Sequence, residues 1–301
     1  MQTDLDVLVI GAGPAGLTAA LYLARAQKKT LLVDDDKPRN AVALHAHGMI
    51  GFDGRSPAEI RAAGRSALER YPCVSMREGR VSGIEREGGL WAAMLSTGEV
   101  LRARRVLLAT GIIDELPKLT GVRERWGASV FSCPYCHGHE QRDKRWAVLI
   151  SPRSMLRSAP IYRGWTRDVV ALLDGRTDLD DASLRPLVER GIAIEPRKIL
   201  ALHGPERTLE EIELEGGVRI PAGALVLSPP KRQADVVLML GLALDENGYV
   251  KANEDLQTSM QGIHVCGDAA GLRPHAVFAV ADGAAAAMHL AETLTLEDLR
   301  R

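Results

Sequence analysis

The chain has 301 residues, enough for two domains or one elaborate one. Its 46% hydrophobic and 26% charged residues are globular proportions and exclude a disordered or fibrous chain. Lys plus Arg total 38 against 39 for Asp plus Glu, a net charge of −1, so no charge excess recruits nucleic acid or an anionic membrane surface.

The N-terminus reads Met1-Gln2-Thr3-Asp4 with no basic leader and enters a strand pattern at once. No apolar run is read as approaching the roughly 18 residues of a membrane span, so the expectation is a cytoplasmic protein without a membrane partner. Asp6 to Ile10 (DVLVI) is a near-continuous apolar run, the pattern of a strand buried on both faces. Gly11-Ala12-Gly13-Pro14-Ala15-Gly16 follows, then a helical pattern over residues 17–26. A second short strand, Thr30 to Val33, ends in Asp34-Asp35-Asp36. Strand, glycine turn, helix, strand and acid stand in the order of a dinucleotide-binding βαβ unit, and Asp34 lies 18 positions after Gly16. A tight turn without a ligand is the alternative that any glycine motif leaves open. In the nucleotide reading Gly11 permits the turn, Gly13 lets a pyrophosphate reach the backbone, and Gly16 lets helix and strand approach. The helix N-terminus offers unpaired N–H groups to the phosphates, and Asp34 accepts from an adenosine ribose.

Farther on, an apolar strand at residues 105–108 leads into Ala109-Thr110-Gly111. The four cysteines are Cys73, Cys133, Cys136 and Cys266, too few for a disulfide-stapled scaffold. Cys133-Pro134-Tyr135-Cys136 brings two sulfurs within disulfide reach, and a turn or helix start there favours the thiolate. A zinc site using Cys133, Cys136, His137 and His139 would require adjacent residues to converge on one ion. Cys73 and Cys266 read as packed thiols, Cys266 inside a strand. Trp126 and Trp165 lie in amphipathic contexts that do not separate packing from substrate contact. Near the end, Gly262-Ile263-His264-Val265-Cys266-Gly267-Asp268 reads as a strand closing in Gly-Asp, followed by an alanine-rich helix over residues 274–290.

Together GAGPAG, ATG and GIHVCGD resemble the FAD signature of two-dinucleotide-fold flavoproteins. The length and the C-x-x-C, with Cys133 lying 22 positions after Gly111, resemble the low-molecular-weight thioredoxin reductases over essentially the whole chain. The resemblance implies an α/β fold of two Rossmann-like (ββα) dinucleotide-binding domains. A discontinuous FAD domain (1–113 and 227–301) would carry an inserted smaller NAD(P)H-like domain (117–224), with Leu116-Pro117 and Ser228-Pro229-Pro230 as stiff linkers. FAD would be held by Gly11, Gly13, Pro14, Ala15, Gly16, Asp34, Val81, Ala109, Thr110, Gly111, Gly267, Asp268, His275 and Ala276. Asn40 and His47 would lie beside the flavin, or else simply cap their loop. Cys136 would face the flavin and Cys133 would exchange with substrate. His137 stands where the reductases usually place an acid, and would serve as general base or cap the short helix. A homodimer is implied as well.

A nicotinamide-dependent reductase also needs a second glycine turn after the C-x-x-C. The strand is there at residues 146–150, but Ser151-Pro152-Arg153-Ser154 follows and no glycine appears until Gly164. The strand at Val169 to Leu173 meets Asp174-Gly175-Arg176, one arginine beside an acid, where the reductases carry a basic cluster for a 2′-phosphate. NAD(P)H is therefore expected not to bind, although Arg153 and Arg157 could hold a phosphate. Electrons would then enter from a small dithiol and leave to dioxygen. This resembles the flavoenzymes that close disulfides in dithiol natural products such as gliotoxin and holomycin, which carry a His after the C-x-x-C. The alternatives are a reductase of thioredoxin-like proteins fed by ferredoxin or another non-nicotinamide donor, and a flavin-bound redox sensor without turnover.

Overall fold

A computed structural model describes residues 5–271 and 273–300; Met1-Gln2-Thr3-Asp4, where no leader is read, fall outside them. The chain begins with β1 (Leu5–Ile10), α1 (Pro14–Arg25) and β2 (Thr30–Asp34), then α2 (Pro57–Leu68) and β3 (Val74–Glu78). Next come β4 (Val81–Glu87), β5 (Leu90–Leu95), β6 (Val100–Leu108) and the short β7 (Ile113–Asp114). The middle holds α3 (Val122–Arg125), β8 (Val130–Phe131), α4 (Pro134–His137), β9 (Trp146–Leu149), α5 (Met155–Ser158) and β10 (Val169–Leu172). It continues through α6 (Asp181–Val188), β11 (Ala193–Glu195), β12 (Ile199–His203), β13 (Glu211–Leu214), β14 (Val218–Pro221) and β15 (Ala224–Val226). The end is β16 (Lys231–Arg232), α7 (Asp235–Met239), β17 (Ile263–Val265) and α8 (Ala276–Asp298).

Two compact units result. One comprises Met1–Ala41, Pro57–Ile113 and Lys231–Arg301, the other Val42–Ser56 and Asp114–Pro230. The sequence reading keeps 1–113 whole, whereas the contacts of residues 42–56 group them with the second unit. Arg207 explains part of this, donating to the carbonyls of both Val42 and Trp126.

The first unit is built on a sheet of order β3-β2-β1-β6-β5-β4, with β17 also paired to β6. Pairs among β1, β2, β3, β6 and β17 are parallel, while β4–β5 and β5–β6 are antiparallel. The apolar run of β1 divides by strand alternation: Val7 and Val9 join the cluster of α1 and α8, while Leu8 and Ile10 join a second cluster with β4–β6 and α7. A strand covered on both faces has no polar side, which is why its sequence lacks one.

α8 runs against α1 through Ala279, Gly283, Ala286, Ala287, Leu290, Ala291 and Leu294, all buried. It starts two residues later and runs eight residues farther than the sequence predicts. By length and mean hydropathy (1.2) it also matches a membrane span, which corrects the expectation that no segment comes close. Its small residues follow from packing, since a Cβ at Gly283 would lie 2.2 Å from the Ala15 carbonyl oxygen. Arg104 ties its end to the sheet, with ion pairs to Asp6 (3.1 Å), Glu297 (3.0 Å) and Asp298 (2.8 Å).

The second unit carries a parallel sheet of order β11-β10-β9-β15-β8 and an antiparallel β12-β13-β14 sheet. The face of β9 bearing Ala147 packs toward the three-stranded sheet, and the face bearing Trp146 and Val148 packs with Phe131 and Tyr162. The α/β class, with a parallel-stranded dinucleotide-type sheet in each of two units, holds as read from sequence.

Candidate active site

In the first unit the glycine turn closes as its sequence requires. Gly11 has φ +104°, and a Cβ there would come 2.4 Å from the Ala109 carbonyl oxygen. A Cβ on Gly16 would come 1.8 Å from the Gly11 oxygen, so α1 can approach β1 only with glycine at that position. Gly13, the N-cap of α1, differs: a Cβ there meets nothing within 4 Å. The glycine therefore keeps space clear in front of a helix N-terminus, which is what a pyrophosphate needs. Pro14 starts α1, three residues before the predicted helix, and Ala15 is buried beneath Gly267 and Gly283.

Ala109, Thr110 and Gly111 follow β6 beside this turn. The Thr110 hydroxyl is buried with no hydrogen-bond partner among the described residues, and a Cβ on Gly111 would meet nothing within 4 Å. An orphaned hydroxyl and two clear backbone approaches fit a bound dinucleotide. Asp34 is more occupied than the sequence suggests. It accepts from the Ala12 N–H (2.9 Å), Arg61 (2.9 Å) and Arg65 (3.1 Å), and both arginines also reach Asp36. Arg61 and Arg65 project from α2 at an i, i+4 spacing that places both on one helix face, a signal the sequence reading passed over.

Gly267 and Asp268 lie in a 3₁₀ turn (Gly267–Ala269), and Asp268 pairs with Arg39 at 2.8 Å. Asn40 sits one residue on, in the 3₁₀ turn Arg39–Val42. His275 is the N-cap of α8 and Ala276 its first residue. Val81 opens β4 with its side chain buried in the apolar cluster. Cys266 is fully buried just beyond the end of β17 rather than inside a strand, and burial pushes its thiol well up, which makes it inert at neutral pH.

In the second unit Cys133 and Cys136 are joined as a disulfide, with Cα atoms 5.3 Å apart. Cys133 is the N-cap of α4, and its sulfur accepts the Cys136 backbone N–H at 3.1 Å. That N–H would stabilise a Cys133 thiolate once the bond opens. The turn rests on aromatic rings: Trp165 stacks on Trp146 (centroids 6.2 Å) and meets Tyr135 edge-on (5.2 Å), while Phe131 stacks on His137 (5.6 Å). A chain with 4% aromatic residues gathers five of them here, counting Tyr162. A side chain at Gly138 would collide with the Pro134 carbonyl and with Trp146 and Trp165. Trp165 thus supports the redox turn, and Trp126 belongs to the core of this unit. Both His137 ring nitrogens are buried, with backbone groups of Gly127 and Cys133 beside the ring. Burial holds this imidazole below the ordinary histidine range, opposed by the Glu140 carboxylate. It is therefore neutral at pH 7.

His47 lies in the segment 42–56 of the same unit. Its Nδ1 is 3.6 Å from Asp53 and its Nε2 3.6 Å from Glu140. At the second dinucleotide position, β9 is followed by Ile150, a bend and only the four-residue α5. Arg176 donates to the Ile150 carbonyl oxygen (2.7 Å) and to both oxygens of Asp178, and Arg153 donates to Ser183 (2.9 Å). The two arginines that follow the strand ends are thus held by groups of the unit itself.

Residues 5–151 and 172–283 match the pyridine nucleotide-disulphide oxidoreductase family model. Among curated proteins the chain is 32% identical over 299 residues to a protein named thioredoxin reductase sirT from Leptosphaeria maculans, covering 93% of this chain and 91% of that one. Among solved structures it resembles HlmI, with a TM-score of 0.94, 33% identity and coverage of 100% and 95% of the two chains. It also resembles an oxidoreductase from Agrobacterium tumefaciens, with a TM-score of 0.91, 34% identity and coverage of 98% and 99%. FAD is typical of these enzymes, and the glycine cradle and the Cys133–Cys136 disulfide agree with that chemistry. The chain belongs to the pyridine nucleotide-disulphide oxidoreductases, as a flavin-dependent, thioredoxin reductase-like oxidoreductase.

Proposed function

We propose that this enzyme is an FAD-dependent dithiol oxidase that closes a disulfide in a small dithiol and passes the electrons to dioxygen. The observation that carries the reading is the second unit. It keeps the redox pair on a rigid aromatic bed, but has neither a glycine turn nor a full helix at the position of a nicotinamide pyrophosphate. Arg176 fills part of that position, bonded to Ile150 and Asp178. A dinucleotide would have to displace these contacts, which supports NAD(P)H not being the electron source.

The residues named from sequence take the following parts. Gly11, Gly13, Gly16, Thr110, Gly111, Asp34 and Asp268 hold FAD, with His275 and Ala276 at the start of α8. When bound, FAD supplies a two-electron acceptor that dioxygen can reoxidise. Substrate thiolate attacks the Cys133 sulfur, the Cys133–Cys136 bond breaks, and Cys136 leaves as thiolate. The second substrate thiolate then attacks the substrate sulfur of the mixed disulfide. Cys133 departs, and the Cys136 N–H on its sulfur eases that departure. His137, neutral and next to Cys136 in sequence, takes a proton from the incoming thiol. We extend the reading to a homodimer, which sedimentation equilibrium tests.

Mixing the yellow protein anaerobically with excess NADPH, and separately with dithiothreitol, tests the main reading. The flavin band should persist with NADPH, bleach with the dithiol and recover with oxygen uptake on aeration. Prompt bleaching by NADPH would refute it. The name borne by the Leptosphaeria maculans relative favours a second reading, reduction of a thioredoxin-like protein. A reduced protein donor such as ferredoxin would then have to bleach the flavin where NADPH does not.

A further inference from the structure

Thiol exchange at a buried base creates a problem that the disulfide and His137 do not solve. Exchange of a dithiol with Cys133–Cys136 breaks two S–H bonds and the enzyme S–S bond and forms the product S–S bond. Both electrons stay on the enzyme sulfurs. One proton can remain on the reduced pair as a thiol beside a thiolate, and the other must leave. His137 can collect it, but both its ring nitrogens are buried away from solvent, so the proton needs a route onward. Burial beside Phe131 disfavours an imidazolium left in that pocket, and the half-exposed Glu140 carboxylate only partly offsets this.

Within the same unit the segment 42–56 answers this. It is pinned by the Ala46–Arg55 bridge and by the Gly48 N–H donating to Asp53 (2.8 Å). The pinned turn sets the His47 ring between two carboxylates, each 3.6 Å from a different ring nitrogen. Side-chain exposure rises outward: 24% for His47, 43% for Glu140 and 67% for Asp53. His45, whose ring is 6.4 Å from that of His47, and His139, which Arg142 contacts at 3.2 Å, also face this cluster. His139 also acts on Asp53, and His47 and Glu140 both act electrostatically on His137. Asp53 is held ionised, first by the Gly48 N–H and then by His47, so a positive charge on His47 always has a fixed partner.

We propose that His47, held between Asp53 and Glu140, is the proton outlet of the thiol-exchange site, receiving the proton that His137 collects and releasing it to solvent past the two carboxylates. The inference rests on the dithiol-exchange reading. It predicts that the outlet matters only while substrate thiols enter protonated. Above the thiol pKa, near 8.5 for an ordinary cysteine-like thiol, exchange needs no base.

The test uses the flavin-loaded enzyme mixed anaerobically with dithiothreitol from pH 6 to 9, with free enzyme thiols trapped by an alkylating quench. His47→Gln should lower the exchange rate about tenfold at pH 7, and Glu140→Gln should lower it in the same direction. Both deficits should close toward pH 9 and be relieved at pH 7 by added imidazole, which carries protons in place of the lost ring. Flavin content should match the parent, separating the effect from a general loss of structure. A parent-like rate and pH profile in His47→Gln would overturn the proposal. A deficit that neither alkaline pH nor imidazole relieves would also overturn it, since His47 would then be holding structure only. If the parent enzyme fails to exchange with dithiothreitol at any pH, the dithiol-exchange reading itself falls and the outlet with it.

Discussion

Replacing His264 by leucine should flatten the acid dependence of the first unit's stability. His264 lies in β17 opposite Leu107 and is 2% exposed, with both ring nitrogens buried and unpartnered among the described residues. Burial, reinforced by the charges of His289 and Arg105, pushes its pKa from 6.5 to about 4. The unfolded chain takes up this proton near pH 6.5 and the folded chain only near 4. The stability associated with the neutral ring is therefore complete above pH 6.5 and is lost as pH falls toward 4. The gap corresponds to roughly 3 kcal/mol in all, of which roughly 2 kcal/mol disappears between pH 7 and pH 5. Leucine fills a similar volume and brings no orphaned polar atoms, so the variant should be at least as stable as the parent at pH 7. Hydrogen exchange of the peptide over β17, corrected for the intrinsic pH dependence of exchange, measures the opening free energy at pH 7 and pH 5. The parent should lose roughly 2 kcal/mol between the two, and His264→Leu well under half of that. An equal loss in both proteins would show that the buried imidazole is not the acid-sensitive group, and the reasoning would fail.

Gly13→Ala should leave thermal stability within about 1 kcal/mol of the parent while stripping flavin, because its Cβ meets no protein atom but enters the space kept for the cofactor. The ratio of flavin to protein absorbance after gel filtration reads this directly. Gly16→Ala should instead fail in folding, because its Cβ would overlap the Gly11 carbonyl, and soluble yield with the far-ultraviolet spectrum reports that outcome. Trp146→Ala should cost about 3–5 kcal/mol, since Trp146 is fully buried beneath Phe131 and Trp165, and urea unfolding followed by the remaining tryptophans measures it. Cys133→Ser should retain flavin, yet its absorbance band should no longer respond to dithiothreitol under anaerobic conditions.

The strand–glycine–helix–strand–acid order from Asp6 to Asp34 was legible in the sequence because each step is local. Strand alternation, the φ demanded of Gly11 and the closeness demanded of Gly16 all act within one βαβ unit. The Cys133–Cys136 pair was legible for the same reason, since a C-x-x-C at a helix start brings its sulfurs together whatever surrounds it. The end of α8 and its likeness to a membrane span were misjudged because alanine serves equally for tight packing and for plain apolarity. Only its contact with α1 shows which applies. Asp34 was found, but Arg61 and Arg65 were not, since nothing near residue 34 in sequence announces a helix face that returns to it 27 and 31 positions later. The aromatic bed beneath the redox turn joins residues 131–137 to residues 146–165, and His47 meets Glu140 across 93 positions. The sequence by itself determined the chemistry available to this protein, a dinucleotide cradle and a redox disulfide, because short-range backbone geometry dictates both. Tertiary structure alone decided which side chains neutralise, bury or shelter those groups, because charge pairing and exclusion of water depend on distance in space rather than along the chain.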